Sequence, residues 1–348
     1  MDMAVREDLG YLIDERFFLH NPGSRHPESP LRLLAIRDAL ESSGADRRWR
    51  RMEARPASRE ELELVHTPAH VEHLEEATGR APAMLDPDTP ISADSYQAAL
   101  YAAGGTLQCV DEMLAGRLRR AFAFVRPPGH HAEPNKAMGF CLLNNAAIAA
   151  AYSRIRYRLE RVAVVDFDVH HGNGVQACFY DDPHVLYVSS HQFPLYPGTG
   201  DFAEIGTGAG RGYTVNFPLP EGAGDGTVVP LYAHVIPPIL EQYRPQLIVV
   251  SAGFDAHFRD PLGGLIMTNA GFASIAASLI VAAGQLCEGK ILFVLEGGYS
   301  IEALKDCTRA VMAAMEAEDP GQAPTAINPL FHEISENSRT HLAPFWKW

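Results

Sequence analysis

The sequence is short of paired cysteines, basic residues and long apolar runs, and each shortage excludes a class of protein. Its five cysteines are widely scattered, with no spacing typical of a disulfide framework or a thiolate zinc site. Lysine and arginine total 29 against 43 aspartate and glutamate, and this balance of −14 disfavours binding to phosphate backbones. No uninterrupted apolar run approaches the ~18 residues of a membrane span, and the first residues lack a basic region followed by an apolar one. We therefore expect a cytoplasmic protein that binds neither nucleic acid nor membranes.

What the sequence has is a regular alternation of short apolar runs with longer segments of helical periodicity, which predicts an α/β fold. No repeat or linker interrupts it, so we expect one domain over residues 1–348, with a core at about 10–316 and a C-terminal surface tail at 317–348. The expected strands are Tyr11–Ile13, Ala121–Val125, Val162–Phe167, Val185–Val188, Tyr213–Phe217, Leu247–Val250 and Ile291–Leu295. The expected long helices are Ser95–Leu114, Asn145–Tyr157, Thr227–Tyr243, Ala270–Cys287 and Ile301–Glu316.

Three shorter helices are indicated by signals at their first residues. Ser29 and Pro30 precede a periodic run that ends at Gly44. Ser58 with Glu61 has the spacing of a capping box, and Thr67-Pro68 precedes a run ending at Gly79.

Four polar segments stand directly after predicted strands. They are Arg126-Pro-Pro-Gly-His-His131, Asp166-Phe-Asp-Val-His-His-Gly-Asn173, Ser251-Ala-Gly-Phe-Asp-Ala256 and Glu296-Gly-Gly-Tyr299. In open parallel sheets ligands bind beyond the carboxyl ends of the strands, so all four can meet in one crevice.

A metal site is indicated by Asp168, His170 and Asp255. Asp168 and His170 are two residues apart at the end of an extended segment, so their side chains point to the same side. With Asp255 they make three protein ligands and leave a position open for water, a count typical of catalytic zinc, with Fe(II) as a competitor. A capping aspartate, a core histidine and a turn aspartate are the structural alternatives.

Six of the fifteen histidines lie between positions 130 and 191. Among them the adjacent His130 and His131 indicate proton transfer, because two neighbouring imidazoles offer an acid and a base. Asp166 and Asn173 are available to accept one ring N–H each, which would give the two histidines different proton affinities. Tyr299, after two glycines, is placed to stabilise an oxyanion. The alternatives are polar loop histidines and a packed strand-end tyrosine.

Together these segments resemble the zinc-dependent histone deacetylase and acetylpolyamine amidohydrolase family, over about residues 10–315. The motifs that carry the resemblance are His26-Pro-Glu28, Pro-Pro-Gly-His-His131, Gly139-Phe-Cys141, Asp-Phe-Asp-Val-His-His-Gly-Asn173, Pro197-Gly-Thr-Gly200, Ser-Ala-Gly-Phe-Asp255 and Glu-Gly-Gly-Tyr299. The resemblance implies the arginase–deacetylase fold, a single domain with a central eight-stranded parallel sheet. It implies Asp168, His170 and Asp255 as ligands of one Zn²⁺.

The resemblance also implies how amide hydrolysis proceeds. Zinc and Tyr299 polarise the carbonyl, while His131, neutral beside Asn173, takes a proton from the attacking water and hands it to the departing amine. His130, made basic by Asp166, stays cationic as an electrostatic element. Class I members have an aspartate in place of Asn173, and the retained Tyr299 indicates a competent hydrolase.

Five residues map onto the family's substrate channel. Phe140 and Tyr196 match aromatic residues that enclose the acyl-lysine chain, and the Gly139 carbonyl matches an acceptor for the scissile N–H. Leu262 stands where eukaryotic polyamine-selective members carry a glutamate, which favours acyl-lysine or another amide with a neutral tail. Asp88 matches a carboxylate that holds the substrate backbone, although Asp86 and Asp94 lie close in sequence and loop aspartates are more often turn formers.

The resemblance further implies structural monovalent cations, usually K⁺. The matching ligands at one site are Asp166, Asp168, His170, Ser189 and Ser190, and those at the other are Phe179, Asp182, Val185 and Tyr213. Family members include monomers, dimers and tetramers, so a homo-oligomer is possible.

Three other functions stay open. Acetylated polyamines or small-molecule amides are alternative substrates within the same family. An arginase-like ureohydrolase would need a second metal, whose ligands the sequence lacks, since Gly172 follows His171 and no Asp-x-Asp pattern includes Asp255. A non-catalytic acyl-group binder would not need the full set of Tyr299, two histidines and three ligands.

Overall fold

The computed structural model describes residues 6–318, 320 and 326–348, and its centre is a parallel β-sheet. The strands are β1 (Arg6–Leu12), β2 (Trp49–Met52), β3 (Ala83–Met84), β4 (Pro90–Ile91), β5 (Arg120–Ala123), β6 (Val162–Asp166), β7 (Val185–Gln192), β8 (Thr214–Leu219), β9 (Leu247–Ala252) and β10 (Ile291–Leu295). Eight of them form one sheet in the order β2-β1-β5-β10-β9-β6-β7-β8, and every neighbouring pair is parallel. The remaining pair, β3 and β4, is a small antiparallel hairpin. The predicted α/β class and eight-stranded parallel sheet are confirmed.

Helices flank the sheet. They are α1 (Leu31–Ser43), α2 (Ala45–Arg48), α3 (Arg59–Leu62), α4 (Pro68–Gly79), α5 (Ser95–Leu114), α6 (Asn145–Tyr157), α7 (Asn173–Phe179), α8 (Asp225–Pro230), α9 (Ile236–Tyr243), α10 (Asn269–Leu286), α11 (Ile301–Glu316) and α12 (Pro329–Leu342). One group packs α1 and α10 against α11, and another packs α5 against α6. Because helices cover the sheet, its central strands are buried and apolar, as the pattern predicts.

Side-chain caps fix where several helices begin. Ser58 and Glu61 form the predicted capping box at α3, and the Thr67 hydroxyl accepts the His70 N–H at the start of α4. Asn144 caps α6 and Thr268 caps α10 in the same way. Helix α10 is long and apolar enough to cross a membrane by composition, with a mean hydropathy of 1.4, but 61% of it is buried inside the protein.

The predicted helix over Thr227–Tyr243 is present, but it is not a regular α-helix throughout. The chain forms α8, then a wider turn of π-helix over Leu231–Val235, then α9. Proline has no N–H to donate to the carbonyl four residues earlier, so Pro237 and Pro238 interrupt the α-helical hydrogen bonding, and they lie in the first turn of α9 directly after the π-helical turn.

The sequence analysis also missed several elements, among them an edge strand and a C-terminal helix. Strand β2 is an edge strand whose central residues, Arg50 and Arg51, are exposed, so it lacks an apolar run. The predicted surface tail contains α12, and two of its aromatic side chains, Phe331 and Trp346, are buried in the protein. Residues 319 and 321–325 of this tail lie outside the described residues.

The strand order determines where the functional segments lie. Strands β5, β10, β9 and β6 are neighbours in the sheet, and each is followed by one of the four polar segments. Because all strands run the same way, these segments meet at the carboxyl edge, as predicted.

Candidate active site

The three predicted metal ligands converge at this edge. Their ligand atoms lie within 4.8 Å of one another, and the side chains of Asp168 and Asp255 are fully buried while that of His170 is 12% exposed. The His170 Nδ1 is 3.2 Å from an oxygen of Asp168 and 3.2 Å from an oxygen of Asp255. Across residues 6–318, 320 and 326–348, no other group of three histidine, cysteine or acidic side chains has this geometry.

The hydrogen bonds around these side chains fit a metal ion. The Val169 N–H donates to Asp255 Oδ1 at 2.9 Å, while Asp255 Oδ2 is buried without a hydrogen-bond partner. Asp168 accepts N–H groups from His170 and Gly297. Two buried carboxylates facing one point repel each other unless a cation lies between them, so the donor set suits a divalent ion with an open position.

Two glycines make room for the carboxylates. A Cβ at Gly253 would lie 1.9 Å from Asp168 Oδ2, and a Cβ at Gly297 would lie 2.0 Å from Asp255 Oδ2. No side chain fits at either position without displacing a ligand oxygen. The glycines of the Ser-Ala-Gly-Phe-Asp and Glu-Gly-Gly-Tyr motifs are therefore required by the space around the cluster.

His130 lies beside the cluster and is paired with Asp166. Its Nδ1 is 3.0 Å from Asp166 Oδ2, and its Nε2 is 3.8 Å from Asp168 Oδ1. Burial opposes a charge on this ring, but the carboxylates of Asp168 and Asp166 outweigh it and raise the pKa of His130 to about 10. The Tyr187 hydroxyl also donates to Asp166. This geometry holds His130 as an imidazolium at neutral pH.

His131 has an uncharged partner instead. Its Nδ1 is 2.8 Å from Asn173 Oδ1. The Asn173 amide donates to Glu133 Oε1 at 2.8 Å, which turns its oxygen toward the imidazole. Burial, then the nearby His130 and His170, hold the pKa of His131 well below its ordinary value. His131 is thus neutral, with Nδ1 protonated and Nε2 free to accept a proton.

The backbone that carries both histidines is held by Glu296, a residue whose role the sequence analysis missed. Its Oε2 accepts the Gly129 N–H at 2.7 Å and the His130 N–H at 3.0 Å. Glu296 is fully buried directly after β10, and its Oε1 has no partner. The available signal was an acidic residue at the end of an apolar strand, where a charge requires a specific partner.

Tyr299 lies at the mouth of the site, and its backbone is fixed by two residues the sequence analysis did not assign. Its N–H donates to Asp260 at 2.6 Å. The buried guanidinium of Arg32 donates to the Gly298 carbonyl at 2.7 Å and to the Glu296 carbonyl, and lies 5.0 Å from the Tyr299 ring centre. Burial raises the pKa of the Tyr299 phenol well above its ordinary value, so it remains a hydrogen-bond donor.

Two of the predicted channel residues border this mouth. The Phe140 ring packs edge-on against Tyr299 with centroids 5.7 Å apart, and the Tyr196 ring packs edge-on against His131 at 5.1 Å. Leu262 is half-buried on the loop after Asp255, and its N–H donates to Asp260.

The other two predicted channel residues contact each other. Asp88 Oδ1 accepts the Gly139 N–H at 3.1 Å, so this carboxylate binds the protein's own backbone.

The residues predicted to bind monovalent cations fall into two places. Ser189 is paired in register with Asp166 across β6 and β7, and the Ser190 hydroxyl lies 2.8 Å from Tyr232. At the other place Asp182 pairs with Arg154, and the carbonyls of Phe179 and Tyr213 accept backbone N–H groups. Cation binding by these residues stays a prediction.

Residues 26–315 match the family model of the histone deacetylase domain. The chain is 38% identical to a probable deacetylase of Archaeoglobus fulgidus, with 97% of this chain and 98% of that protein covered. It is 38% identical to the human polyamine deacetylase HDAC10, covering 92% of this chain and 49% of that protein. The crystal structure of the HDA15 HD domain superimposes with a TM-score of 0.89 at 35% identity, over 99% of this chain and 96% of that one.

Proposed function

Because the chain belongs to the histone deacetylase family, we propose that it is a cytoplasmic zinc-dependent hydrolase of N-acylated amines, with acetyl-lysine-type amides as its main substrates. One observation carries the proposal: a buried Asp/His/Asp group lies next to two histidines, of which one is paired with the carboxylate of Asp166 and the other with the amide of Asn173. A metal centre with a neutral base beside it is what hydrolysis of an unactivated amide requires.

The ligands of the zinc are Asp168, His170 and Asp255. Bound there, zinc supplies a Lewis acid that polarises the amide carbonyl and lowers the pKa of a coordinated water. We also assign K⁺ to the two sets of residues named above, as a structural cation.

The remaining steps belong to the protein's own side chains. His131 Nε2 takes the proton of the attacking water as the new C–O bond forms, and delivers it to the amine nitrogen as the C–N bond breaks. The Tyr299 phenol donates a hydrogen bond to the oxyanion that develops between these two events. His130 keeps its positive charge throughout and offsets the negative charge of that oxyanion.

The substrate preference follows from the channel. Phe140 and Tyr196 offer aromatic walls to an aliphatic tether. Leu262 offers no carboxylate to an ammonium inside the chain of a polyamine, which favours acetyl-lysine over acetylpolyamines. The relative named as a polyamine deacetylase makes acetylpolyamines the second candidate.

The test combines metal analysis with a substrate panel. We expect about one zinc per chain by mass spectrometry, and hydrolysis of acetyl-lysine peptides faster than of acetylspermidine or of longer acyl amides. Asp255→Asn should lose both the zinc and the activity. Two manganese ions per chain would favour a ureohydrolase, and zinc with no hydrolysis across the panel would favour an acyl-group binder.

A further inference from the structure

The channel residue Phe140 has a backbone conformation that side chains rarely adopt. Gly139 and Phe140 follow one another with φ of 57° and 68°, both in the left-handed region. Glycine tolerates this region, but phenylalanine is strained there. The surrounding structure must therefore hold Phe140 in place.

The contacts that hold this turn come from the hairpin of β3 and β4. The Thr89 hydroxyl donates to Asp88 Oδ1 at 2.8 Å and accepts the Phe140 N–H at 3.2 Å. The same Asp88 oxygen accepts the Gly139 N–H at 3.1 Å. Thr89 is 1% exposed, so water does not substitute for its hydroxyl.

The hairpin itself is tightly closed. The Leu85 N–H donates to the Thr89 carbonyl at 3.0 Å, and the Thr89 N–H donates to the Asp86 carbonyl at 3.1 Å. The His26 ring lies 3.3 Å from the Asp88 carbonyl through its Nε2 and packs edge-on against the Phe140 ring at 4.6 Å. The position of Phe140 is thus fixed on its backbone side by Thr89 and on its ring side by His26.

From these contacts we propose that Thr89 is a positioning residue, whose hydroxyl joins the Asp88 carboxylate to the Phe140 N–H and thereby fixes Phe140 against Tyr299 at the entrance to the site. Loss of the Thr89 hydroxyl should affect substrate binding more than the chemical step. A mobile Phe140 ring packs less well against the aliphatic tether of the substrate, while the groups around the metal ligands keep their positions. The kinetic part of this inference rests on the proposed function, whereas the structural part does not.

The first experiment compares Thr89→Val, which keeps the shape and removes the hydroxyl, with Thr89→Ser, which restores it. We expect Thr89→Val to raise KM for an acetyl-lysine peptide about tenfold with a smaller fall in kcat, since an orphaned buried N–H costs about that factor. Thr89→Ser should return KM to near the wild-type value. Thr308→Val is the matched control, because Thr308 is equally buried on α11 and its hydroxyl has no partner.

The second experiment measures amide hydrogen exchange in the protein as purified and without substrate, where activity plays no part. The peptide containing Gly139 and Phe140 should exchange about tenfold faster in Thr89→Val than in wild type, Thr89→Ser or Thr308→Val. If Thr89→Val does not fold, Thr89→Ala carries the same comparison. A Thr89→Val protein that matches Thr308→Val in both exchange and KM overturns the inference, while inactive wild type with the expected exchange pattern overturns only the proposed function.

Discussion

His130 and His131 are adjacent in sequence, and their ring centroids are 4.1 Å apart, yet their surroundings shift their pKa values in opposite directions, so that one ring is cationic and the other neutral. The carboxylate of Asp166 faces one ring, and the amide of Asn173 faces the other. Both rings are equally buried, so burial does not distinguish them. The difference comes from the charges around each ring: the carboxylates of Asp168 and Asp166 raise the pKa of His130, whereas the neighbouring imidazoles of His130 and His170 add to the effect of burial on His131.

The largest expected effects on activity and stability come from removing each histidine in turn. His131→Ala deletes the base and should lower kcat about 10²–10⁴-fold with normal zinc content. His130→Ala should lower kcat less but reduce the melting temperature more, because it leaves Asp166 buried without its charged partner. Steady-state kinetics, metal analysis and thermal unfolding of both variants check this, and near-normal turnover by His131→Ala would refute the assignment.

Asn173→Asp would give His131 a carboxylate partner, as His130 already has in Asp166. A carboxylate behind His131 raises its pKa by about 1–3 units, so a larger fraction of the base is protonated at low pH. The acid limb of the kcat/KM profile should therefore move to higher pH by at least about 1 unit, with the rate near pH 8 less affected. The control is Asn135→Asp, which adds the same charge at an exposed position in the loop that follows His131. It should leave the profile unchanged.

Substitutions of Glu296 test whether its hydrogen bonds hold the backbone segment that carries both histidines. Glu296→Leu leaves the N–H groups of Gly129 and His130 without an acceptor and should cost about 1–3 kcal/mol in the free energy of unfolding, with a fall in kcat. Glu296→Gln retains a carbonyl oxygen at the same place and should restore most of both. Equal losses in the two variants would mean that the charge matters and the hydrogen bonds do not.

The last test leaves the catalytic pair and concerns the pH dependence of stability at His66, another buried histidine, which lies just before α4. Its Nε2 accepts the Asn144 N–H at 2.9 Å, and burial, with the nearby His70, lowers its pKa to about 3. The unfolded chain binds a proton on His66 below about pH 6.5 while the folded chain does not, so stability falls as pH falls from 6.5 toward 3. The slope should be up to about 1.4 kcal/mol per pH unit.

Denaturant unfolding between pH 4 and pH 7 checks this prediction. His66→Gln should flatten the pH dependence by about one proton relative to wild type. His73→Gln, on the exposed side of α4, which begins just after His66, is the control and should leave the slope unchanged.

Most of the fold follows from signals that are local in sequence. The apolar runs of β6, β9 and β10 and the caps of α3 and α4 were sufficient to place those elements. What failed were features that depend on distant contacts or on backbone chemistry. Edge strand β2 has no apolar run to mark it, and the π-helical turn within the predicted Thr227–Tyr243 helix was not expected from the prolines beside it.

The candidate site likewise contains residues that the sequence predicts and supporting residues that it does not. The residues whose side chains converge on the metal cluster stand in compact motifs, and the structure brings together Asp168, His170, Asp255, His130 and His131 as the motifs predict. The residues that hold those motifs in place come from remote parts of the chain. They are Arg32, Thr89, Asp260 and Glu296, which act mainly on backbone N–H and carbonyl groups and so leave no spacing pattern in the sequence.

The two glycines beside the metal ligands carry a consequence for judging related chains. Because a methyl group at Gly253 or Gly297 would occupy the space of a carboxylate oxygen, a sequence can keep all three ligands and still lose the ion. If the proposed zinc site is correct, the absence of a side chain at these two positions is as necessary for the ion as the presence of the three ligands.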